Sequence, residues 1–520
     1  MSAPSIVWLG PLLDPSGYSD EARGFLRALE AHGVAPTAMC STSVGVEAGL
    51  TPEDQDMLNR QGARPPRPPY VIVHHYVPGP GQQSAAGMPN VARVMFETDS
   101  LPESWLPLLL ERDEIWVPGR HNVETFERGG IPAEKLKVLG GTLDFDLFKP
   151  GVEPLDLDVE GDPFVFVTNF DFSERKAWEK LILAWAGAFD ATDPVCLVLK
   201  TGSYWDDDAK VRGKIERFVE REVGGFHKLA PLRIYTSTLP SAVLPQFYAA
   251  ADAYVLASRG EGWGRPYMEA MAMGLPTIAS RWSGNLEFMH DGNSWLVDGE
   301  LVRVPDDADL INGLYQGHRW FEPDVHSLVE AMRAVAGDPA AARAKAAGAR
   351  DELIARFGPE ATARRVRELA EGALAGFGLD SSRSDRSAAR RACAIDEART
   401  VGVLAFGDEL AARPELLRAY GERFGPGDDV TLVIYSPGGD SAELETRLFA
   451  AAAAAGLDGE DTADLLALPL GERLGDESLL AASVDALLSG GEPAWPFSEL
   501  PRFGESTVDA LREFASRTST

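Results

Sequence analysis

Short apolar runs alternate with amphipathic segments along the first part of the chain. The runs SIVWLG, YVIVHHY, VARVMFET, DEIWVPG and KLKVLGG are typical of buried strands. EARGFLRALEAHG and RHNVETFERGG carry the spacing of amphipathic helices. Strands that alternate with helices are typical of parallel βαβ units. The pattern therefore predicts a doubly wound α/β domain over residues 1–158, which ends in a segment rich in proline and acidic residues.

The same alternation of apolar runs and amphipathic segments resumes after residue 158. PFVFVTNF, VCLVLKTG, PLRIYTS and AYVLAS are typical of strands, ERKAWEKLILAWAGAF of a helix, and residues 324–377 form a long helical region rich in alanine and arginine. This predicts a second Rossmann-like domain over residues 159–377. Two such domains in tandem leave a cleft between them, and ligands of these sheets bind at the carboxyl ends of the strands.

The remainder of the chain starts with a polar, charged stretch of low pattern, which predicts a linker over residues 378–398. Beyond it, residues 419–435 align without gaps on residues 184–200, which suggests a duplicated βαβ unit, although unrelated Rossmann units can share such patterning. Ala411 takes the place of Lys176, and no second glycine-rich loop with two glutamates follows. We expect residues 399–520 to form a partial, degenerate α/β domain that binds no nucleotide and serves packing, oligomer contacts or acceptor positioning.

Composition and charge narrow the class of protein. A chain of 520 residues with 45% hydrophobic and 25% charged residues is typical of a soluble protein of two to four domains. No apolar run is long enough for a membrane span, the amino terminus lacks a basic signal region, and the three cysteines lack metal-ligand spacing, so we expect a cytoplasmic protein. The net charge of −31 disfavours nucleic acid and anionic membranes as partners.

One stretch, SRGEGWGRPYMEAMAMGLPTIAS at residues 258–280, combines glycines with two glutamates. Pro266 suits the first position of a helix, and the N–H groups of the preceding glycine-rich loop suit an anion such as a diphosphate. Glu269 offers two acceptor oxygens to a vicinal diol such as a ribose, and Glu261 can reach another hydroxyl-bearing group of the same ligand. Alternatively, Glu269 only complements the helix dipole and the glycines only form a turn.

The stretch EGWGRPYMEAMAMGLPTIASRWSGNLEF resembles the Glu-x7-Glu signature of retaining GT-B glycosyltransferases of the group 1 / family 4 type, which use nucleotide-activated sugars. The resemblance continues in order through DPSGYSDEARGFLRAL, WVPGRHNVETFERGGIPAEKLKVLGGTLDFDLFKP and FVTNFDFSERKAWEKLILAW, over about residues 1–375. It implies a GT-B fold, two Rossmann-like domains facing a cleft, and metal-independent transfer of a hexose from a nucleoside-diphosphate sugar.

The resemblance also implies roles for single residues. Glu269 would hold the ribose hydroxyls of the donor, Glu261 would contact the transferred sugar, and the basic pair Arg175 and Lys176 would neutralise the leaving diphosphate, at the surface of the cleft. Gly17 would face the donor phosphates from the first domain. The expected donor-binding residues also include Gly262, Trp263, Gly264 and, as a weaker helper, Arg259.

Two positions depart from the family pattern. Phe170 stands at or near the place where an arginine often follows the first strand of the second domain, and Glu97 stands where many relatives have a histidine. We expect Glu97 to bind a hydroxyl of the donor sugar or of the acceptor. His74 and His75 lie on an earlier strand end, where a core or rim role is expected.

Two Asp-x-Asp patterns look like the metal-binding motif of another glycosyltransferase fold. DFD at residues 144–146 belongs instead to the end of the first domain, and DAD at residues 307–309 lies in an acidic loop rather than at a strand end. We therefore expect no metal and no cofactor apart from the nucleotide-sugar substrate.

The sequence predicts a retaining glycosyltransferase. It favours transfer of the sugar by the front-face route over a double displacement. Its acceptor, which the sequence leaves open, is a sugar, a lipid-linked glycan, a protein or a small molecule. An inactive glycosyltransferase-like scaffold, a glycan-binding subunit and a nucleotide-sugar epimerase remain alternatives, whereas a phosphorylase would need a lysine for pyridoxal phosphate in a much longer chain. Release of nucleoside diphosphate from a panel of donors separates these possibilities.

Overall fold

The first domain is built on a parallel sheet. The computed structural model describes residues 4–14, 16–41, 50–67, 69–79, 87–203, 207–237, 239–306, 308, 313–377, 390, 393, 395, 397–437, 441–459, 462–469, 477–491, 497 and 500–518. Within them the strand order is β2-β1-β3-β4-β5-β6, and every neighbouring pair is parallel. The strands are β1 Ser5–Gly10, β2 Thr37–Cys40, β3 Tyr70–His75, β4 Asn90–Arg93, β5 Glu114–Val117 and β6 Leu136–Val138. The helices are α1 Gly17–Ala31, α2 Pro52–Gly62, α3 Leu106–Leu110 and α4 Arg120–Arg128.

Helix α1 brings the first loop of this domain to the cleft. The side chain of Ser16 caps the helix by accepting a hydrogen bond from the N–H of Ser19, and the buried face carries Phe25, Leu26 and Leu29. The helix begins at Gly17, earlier than the sequence pattern predicted, because this local cap lies within the stretch that reads as a loop.

The second domain repeats the architecture with the strand order β9-β8-β7-β10-β11-β12, again parallel throughout. The order reverses between β7 and β10, and the carboxyl ends of these two strands lie at the point where such sheets bind ligands. The strands are β7 Phe164–Asp171, β8 Val195–Gly202, β9 Leu232–Tyr235, β10 Ala253–Leu256, β11 Thr277–Ser280 and β12 Trp295–Val297. The helices are α5 Trp178–Ala188, α6 Asp208–Phe218, α7 Leu244–Ala249, α8 Arg265–Ala272, α9 Val325–Gly337, α10 Pro339–Ala346, α11 Ala349–Phe357 and α12 Pro359–Gly376.

The helical region expected over residues 324–377 is divided into the four helices α9–α12. Pro339 and Pro359 each open a new helix, because proline is tolerated in a first turn but not in a helix interior. The last of them, α12, leaves the second domain and packs on α1 and β3 of the first. The chain thus passes from one domain to the other and back.

An antiparallel hairpin separates β12 from α9 and was not predicted from the sequence. It consists of β13 Gly299–Arg303 and β14 Arg319–Pro323, with Leu301 opposite Phe321. Its apolar residues stand in adjacent pairs, Leu301 with Val302 and Trp320 with Phe321, so the alternating pattern of a strand is weak in this stretch.

The third domain contains a smaller parallel sheet, as predicted. Its described strands have the order β17-β16-β15-β18-β19, which matches the connectivity of the second domain without a sixth strand. The strands are β15 Val401–Phe406, β16 Val430–Tyr435, β17 Asp464–Ala467, β18 Ala486–Leu488 and β19 Arg502–Phe503. The helices are α13 Gly407–Ala412, α14 Pro414–Gly421, α15 Ser441–Ala454, α16 Glu477–Ser483 and α17 Val508–Thr518. Most of the linker predicted over residues 378–398 lies outside the described residues.

The third domain shares a continuous buried core with the first. One cluster joins apolar residues of the first sheet, of α12 and of the third sheet, among them Val73, Leu369, Leu404, Val433 and Leu487. In the described part of the chain, no helix combines the length and the apolar character needed to cross a bilayer.

Candidate active site

The glycine-rich loop between β10 and α8 lies at the carboxyl edge of the second sheet. Helix α8 starts and ends within one residue of the prediction, between Gly264 and Gly274. Gly264 has φ +92° and Gly274 has φ +83°, which are left-handed conformations that favour glycine. Across the cleft, a Cβ on Gly260 would overlap the carbonyl oxygen of Glu97. The loop therefore touches the first domain directly.

Glu261 lies at the centre of a compact charged cluster, held from both sides. Its Oε1 is 2.6 Å from Nζ of Lys176, and its Oε2 is 3.4 Å from Nη1 of Arg175. Nη1 of Arg175 also donates to the carbonyl of Gly260 at 2.5 Å, and the N–H of Glu261 donates to Oγ of Ser283 at 2.9 Å. The structure thus brings together the basic pair and the first glutamate, which are about 85 residues apart in the sequence.

The basic pair lies deeper than the sequence analysis expected. Lys176 is 6% exposed and the side chain of Arg175 is 16% exposed, so the expected position at the cleft surface is wrong. The reason is a tight turn at residues 174–176, followed by Ala177 in the left-handed region with φ 47°, which turns both side chains inward.

Burial and mutual charge set the ionisation of this cluster. Burial opposes the charge on Glu261, but Lys176 and Arg175 hold the pKa of the carboxyl below its usual range. Burial and the neighbouring Arg175 lower the pKa of Lys176. Burial also opposes the charge on Arg175, but the carboxylates of Glu97 and Glu261 outweigh it and raise the pKa of Arg175. Glu261 is therefore a carboxylate near neutral pH.

Glu97 joins this cluster from the first domain. Its Oε1 is 3.6 Å from Nη2 of Arg175, and the hydroxyl of Tyr315 lies 3.2 Å from its Oε2. Burial and the charge of Glu97 raise the pKa of Tyr315 above its usual range, so the hydroxyl stays protonated and donates. Tyr315 was missed by the sequence analysis because it lies between the strands of the unpredicted hairpin.

Glu269 occupies a separate pocket on α8. Its Oε2 lies 2.8 Å from the hydroxyl of Tyr248, which is also 2.9 Å from Oδ1 of Asn169, and its Oε1 lies 3.6 Å from Nη2 of Arg265. Burial raises the pKa of Glu269, against the opposing influence of Arg265 and Tyr248. Tyr248 and Asn169 lie in an apolar helix and at a strand end, and neither carried a signal in the sequence.

Gly17, which is expected to face the donor phosphates, lies across the cleft from the start of α8. Gly17, at the start of α1, lies opposite the aliphatic part of Arg265 at the start of α8. Among the described residues no acceptor pairs with the N–H groups of Gly262, Trp263 or Gly264. Free N–H groups at a helix start suit an anion.

The side chains of Trp263 and Arg259, which were expected to help bind the donor, are engaged in contacts within the protein. The side chain of Trp263 is 1% exposed and packs against Phe288 and Phe357, so only its backbone faces the loop. The guanidinium of Arg259 is paired with Glu179 and Glu322, which favours a structural role over phosphate binding. Tight packing and paired charges cannot be read from the local sequence.

Phe170 and the two histidines lie inside the domains. Phe170 is buried in the core of the second domain. The indole N–H of Trp8 lies 3.3 Å from Nδ1 of His75, so this nitrogen accepts, and the N–H at Nε2 faces Glu21 Oε2 at 3.0 Å. Because the same carboxylate pairs with Arg93 at 2.8 Å, these groups tie together α1, β3 and β4, as a core role requires.

The two Asp-x-Asp stretches have different outcomes. Asp144 accepts hydrogen bonds from the N–H groups of Asp146 and Leu147 and lies 3.2 Å from Nη1 of Arg27, so it organises a turn and an ion pair. Two of the three residues at 307–309 lie outside the described residues. Among the residues that the structure does describe, no three His, Cys, Asp or Glu side chains are grouped as metal ligands.

Comparisons with known proteins agree with this architecture. Residues 163–317 match the family model described as glycosyl transferases group 1. A stretch of 78 residues is 36% identical to O-antigen chain mannosyltransferase B of Escherichia coli and covers 15% of this chain and 19% of that protein. The match thus spans about a fifth of the length of this relative.

Two solved structures share the fold of the first two domains. A glycosyltransferase from Rickettsia africae ESF-5 is similar with a TM-score of 0.51 and 13% identity, over 72% of this chain and 99% of that one. Sucrose-phosphate synthase from Thermosynechococcus elongatus gives a TM-score of 0.50 and 18% identity, over 72% of this chain and 100% of that one. The first two domains have the GT-B fold, and residues 163–317 are similar to the group 1 glycosyl transferases.

Proposed function

We propose that this protein transfers a hexose from a nucleoside-diphosphate sugar to an acceptor, with retention of the anomeric configuration. The observation that carries the proposal is the cluster of Arg175, Lys176 and Glu261 beside the free N–H groups of the loop before α8. Cations and backbone N–H groups stabilise a departing diphosphate, and a carboxylate beside them can orient the sugar.

The donor would lie along the carboxyl edge of the second sheet. Glu269, with its two oxygens directed by Tyr248 and Arg265, suits the hydroxyls of the ribose. The diphosphate would then reach the loop at residues 262–264 and compete with Glu261 and Glu97 for Arg175 and Lys176. Gly17 leaves room for it on the side of the first domain.

The cluster favours the front-face route over a double displacement. Glu261 is held by Lys176 at 2.6 Å, and a carboxylate engaged in this way is a poor nucleophile. Arg175 and Lys176 would stabilise the charge that develops on the leaving diphosphate, whose oxygen accepts the proton of the acceptor hydroxyl. Cations already in place make a metal unnecessary for this step.

A hexose donor is supported by the 36% identity to a mannosyltransferase, which extends over 78 residues. The compartment we propose is the cytoplasm, because Cys40, Cys196 and Cys393 are unpaired thiols, which suits reducing conditions. The acceptor would approach from the first domain.

The test is release of nucleoside diphosphate from UDP-glucose and GDP-mannose in the presence of a panel of sugar acceptors, with and without EDTA. The anomeric configuration of the glycosidic bond is then determined from the NMR spectrum of the product. We expect release with one donor, no effect of EDTA, and the same configuration in donor and product. Arg175→Ala combined with Lys176→Ala should lower the rate by about a hundredfold or more. An inverted anomeric configuration in the product would exclude the retaining mechanism. Loss of nucleoside diphosphate release in EDTA would exclude metal independence.

The alternatives give different results in the same experiment. An inactive scaffold or a glycan-binding subunit releases no nucleoside diphosphate from either donor. A nucleotide-sugar epimerase changes the sugar without net transfer to the acceptor. Release that is unchanged in the Arg175 and Lys176 double variant, with native circular dichroism, would contradict the proposed role of the basic pair.

A further inference from the structure

The hairpin β13–β14 connects the second domain to the first beside the charged cluster. Oδ1 and Oδ2 of Asp99 accept hydrogen bonds from the N–H and Nε of Arg319, at 2.7 and 2.9 Å. Oγ1 of Thr98 lies 2.8 Å from Nδ1 of His318, and the N–H of Asp99 donates to the carbonyl of Arg319 at 3.1 Å. These four contacts fix the end of the hairpin on the segment that follows β4.

This attachment positions Tyr315 beside Glu97. The ring of Tyr315 packs on Phe96 with a centroid distance of 5.4 Å, and its hydroxyl lies 3.2 Å from Glu97. Glu97 is in turn 3.6 Å from Arg175, which lies 3.4 Å from Glu261. The hydroxyl of Tyr315 and the carboxylate of Glu97 therefore lie beside Arg175, which would hold the diphosphate, and close to Glu261, which would contact the transferred sugar.

The charges at this place restrict the kind of sugar that fits. A diphosphate competes with Glu97 for Arg175, so a bound donor leaves the carboxylate less well neutralised. A second anionic group a few ångströms from an incompletely neutralised carboxylate is disfavoured, whereas neutral hydroxyls can donate to it and accept from a tyrosine.

We propose that Glu97 and Tyr315 form one hydroxyl-binding sub-site that selects an uncharged sugar and excludes a uronic acid. This inference rests on the proposed function, because it assigns the sugar end of the same donor site. Tyr315 is thereby a specificity residue supplied by the hairpin, and Glu97 contributes from the opposite domain.

The experiment compares each nucleotide with and without its sugar by calorimetry. The probes are UDP, UDP-glucose and UDP-glucuronate, and GDP, GDP-mannose and GDP-mannuronate. Tyr315→Phe should raise the Kd of the neutral sugar nucleotide by about three- to tenfold, the scale of one hydrogen bond, and leave the Kd of the nucleoside diphosphate unchanged. Tyr235→Phe, which removes a hydroxyl bound to the carbonyl of Leu157 outside the cleft, is the matched control.

The charge is tested separately. In the wild type the uronate donor should bind at least about tenfold more weakly than the neutral one, and Glu97→Gln should narrow that ratio. The sub-site is overturned if the uronate donor binds as tightly as the neutral donor, or if Tyr315→Phe leaves the ratio of the Kd of the sugar nucleotide to the Kd of the nucleoside diphosphate unchanged. In either case, release of nucleoside diphosphate by the wild type would still uphold the proposed function. A wild type that neither binds nor cleaves any of these donors overturns both.

Discussion

The two glutamates of the loop and helix share one stretch of chain but not one environment. Glu261 is ion-paired with Lys176 and Arg175, and its pKa stays below its usual range although burial opposes this. Burial dominates at Glu269, whose pKa is raised, with Tyr248 as its hydrogen-bond donor. At the scale of single residues we therefore expect the two carboxylates to affect different kinetic parameters.

Glu269→Ala should raise the donor Kd by about tenfold or more, because it removes hydrogen bonds to a charged acceptor. Glu261→Ala should instead lower kcat by about a hundredfold, because it disturbs the groups around the departing diphosphate. Steady-state kinetics and calorimetry with the active donor measure both effects. The control is Glu330→Ala, an exposed glutamate on α9. Wild-type activity in either site variant would refute the assignment.

Donor affinity should fall as the pH is lowered. Burial raises the pKa of Glu269 above the ordinary 4.5, and protonation removes an acceptor that the ribose hydroxyls need, so binding is strongest above the raised pKa and weakens below it. A sugar nucleotide has no terminal phosphate to titrate in the same range. The measurement is the Kd between about pH 5 and 8, and Glu269→Gln should remove the dependence on this group. A Kd that is flat in the wild type contradicts this expectation.

At the scale of elements, the pair Lys176 and Glu261 joins the turn after β7 to the loop before α8. Lys176→Met should destabilise the second domain by about 3 kcal/mol, because it leaves a buried carboxylate with Arg175 as its remaining cationic partner. Glu261→Gln in the same background should recover part of the loss, since the unpaired charge is gone. Thermal melting of the two variants and the wild type gives the comparison. A double variant that melts below Lys176→Met would show that charge is not the cause.

The hairpin attachment is a second prediction about elements. Burial of Asp99 is outweighed by the N–H and guanidinium of Arg319, which hold the pKa of this carboxyl below its usual range, so the contact persists at neutral pH. Asp99→Asn should speed amide hydrogen exchange in β14 and at residues 97–99 by about tenfold, the scale of a hydrogen bond to a charged group. Asp306→Asn, which removes an exposed ion pair with Arg303 near the same hairpin, should not. Equal exchange in both variants would mean that the pair does not fix the hairpin.

The sequence predicted the elements that depend on local patterns and missed those that depend on distant partners. The three parallel sheets follow from apolar runs, and the bounds of α8 follow from Pro266 and two glycines. The burial of Lys176, the contact of Tyr248 with Glu269 and the meeting of Tyr315 with Glu97 are set by segments tens to hundreds of residues apart. The sequence pattern singled out Lys176, Glu269 and Glu97 but does not show which distant side chain contacts each of them. Tyr248 and Tyr315 were therefore missed.

At the scale of the whole molecule, the third domain has the strand connectivity of the second but a different carboxyl edge. Glu409 at the start of α13 accepts hydrogen bonds from the hydroxyl of Ser489 and, at 2.8 Å, from the N–H of Gly490. The carboxylate of Glu409 thus lies at this edge of the sheet and disfavours an anionic ligand beside it. That residues 399–520 bind no nucleotide stays a prediction.

Removal of residues 399–520 should destabilise the rest of the protein. Leu369 of α12 and Val73 of β3 belong to one buried cluster with Leu404, Val433 and Leu487, so the deletion exposes apolar surface on the first domain. We expect a lower melting temperature than that of the full chain. On gel filtration we expect an apparent size larger than that of a monomer of residues 1–398, because the exposed apolar surface promotes association. Phe449→Ser, which replaces an apolar side chain that is already 67% exposed, is the control and should change neither. A truncated chain that stays monodisperse and melts like the full chain would contradict the shared core.

Helix α12 has a mechanical consequence. The chain leaves the first domain near Thr142 and returns near Phe357, and the hydroxyl of Thr142 donates to the carbonyl of Phe357 at 3.1 Å, so the two crossings are adjacent. A rotation of the second domain against the first would bend the chain at this one place, with α12 still packed on the first domain. The third domain shares its core with α12 and the first domain, and therefore travels with them. A surface that anchors the third domain would therefore anchor the first domain as well, and any domain rotation would displace the second domain alone.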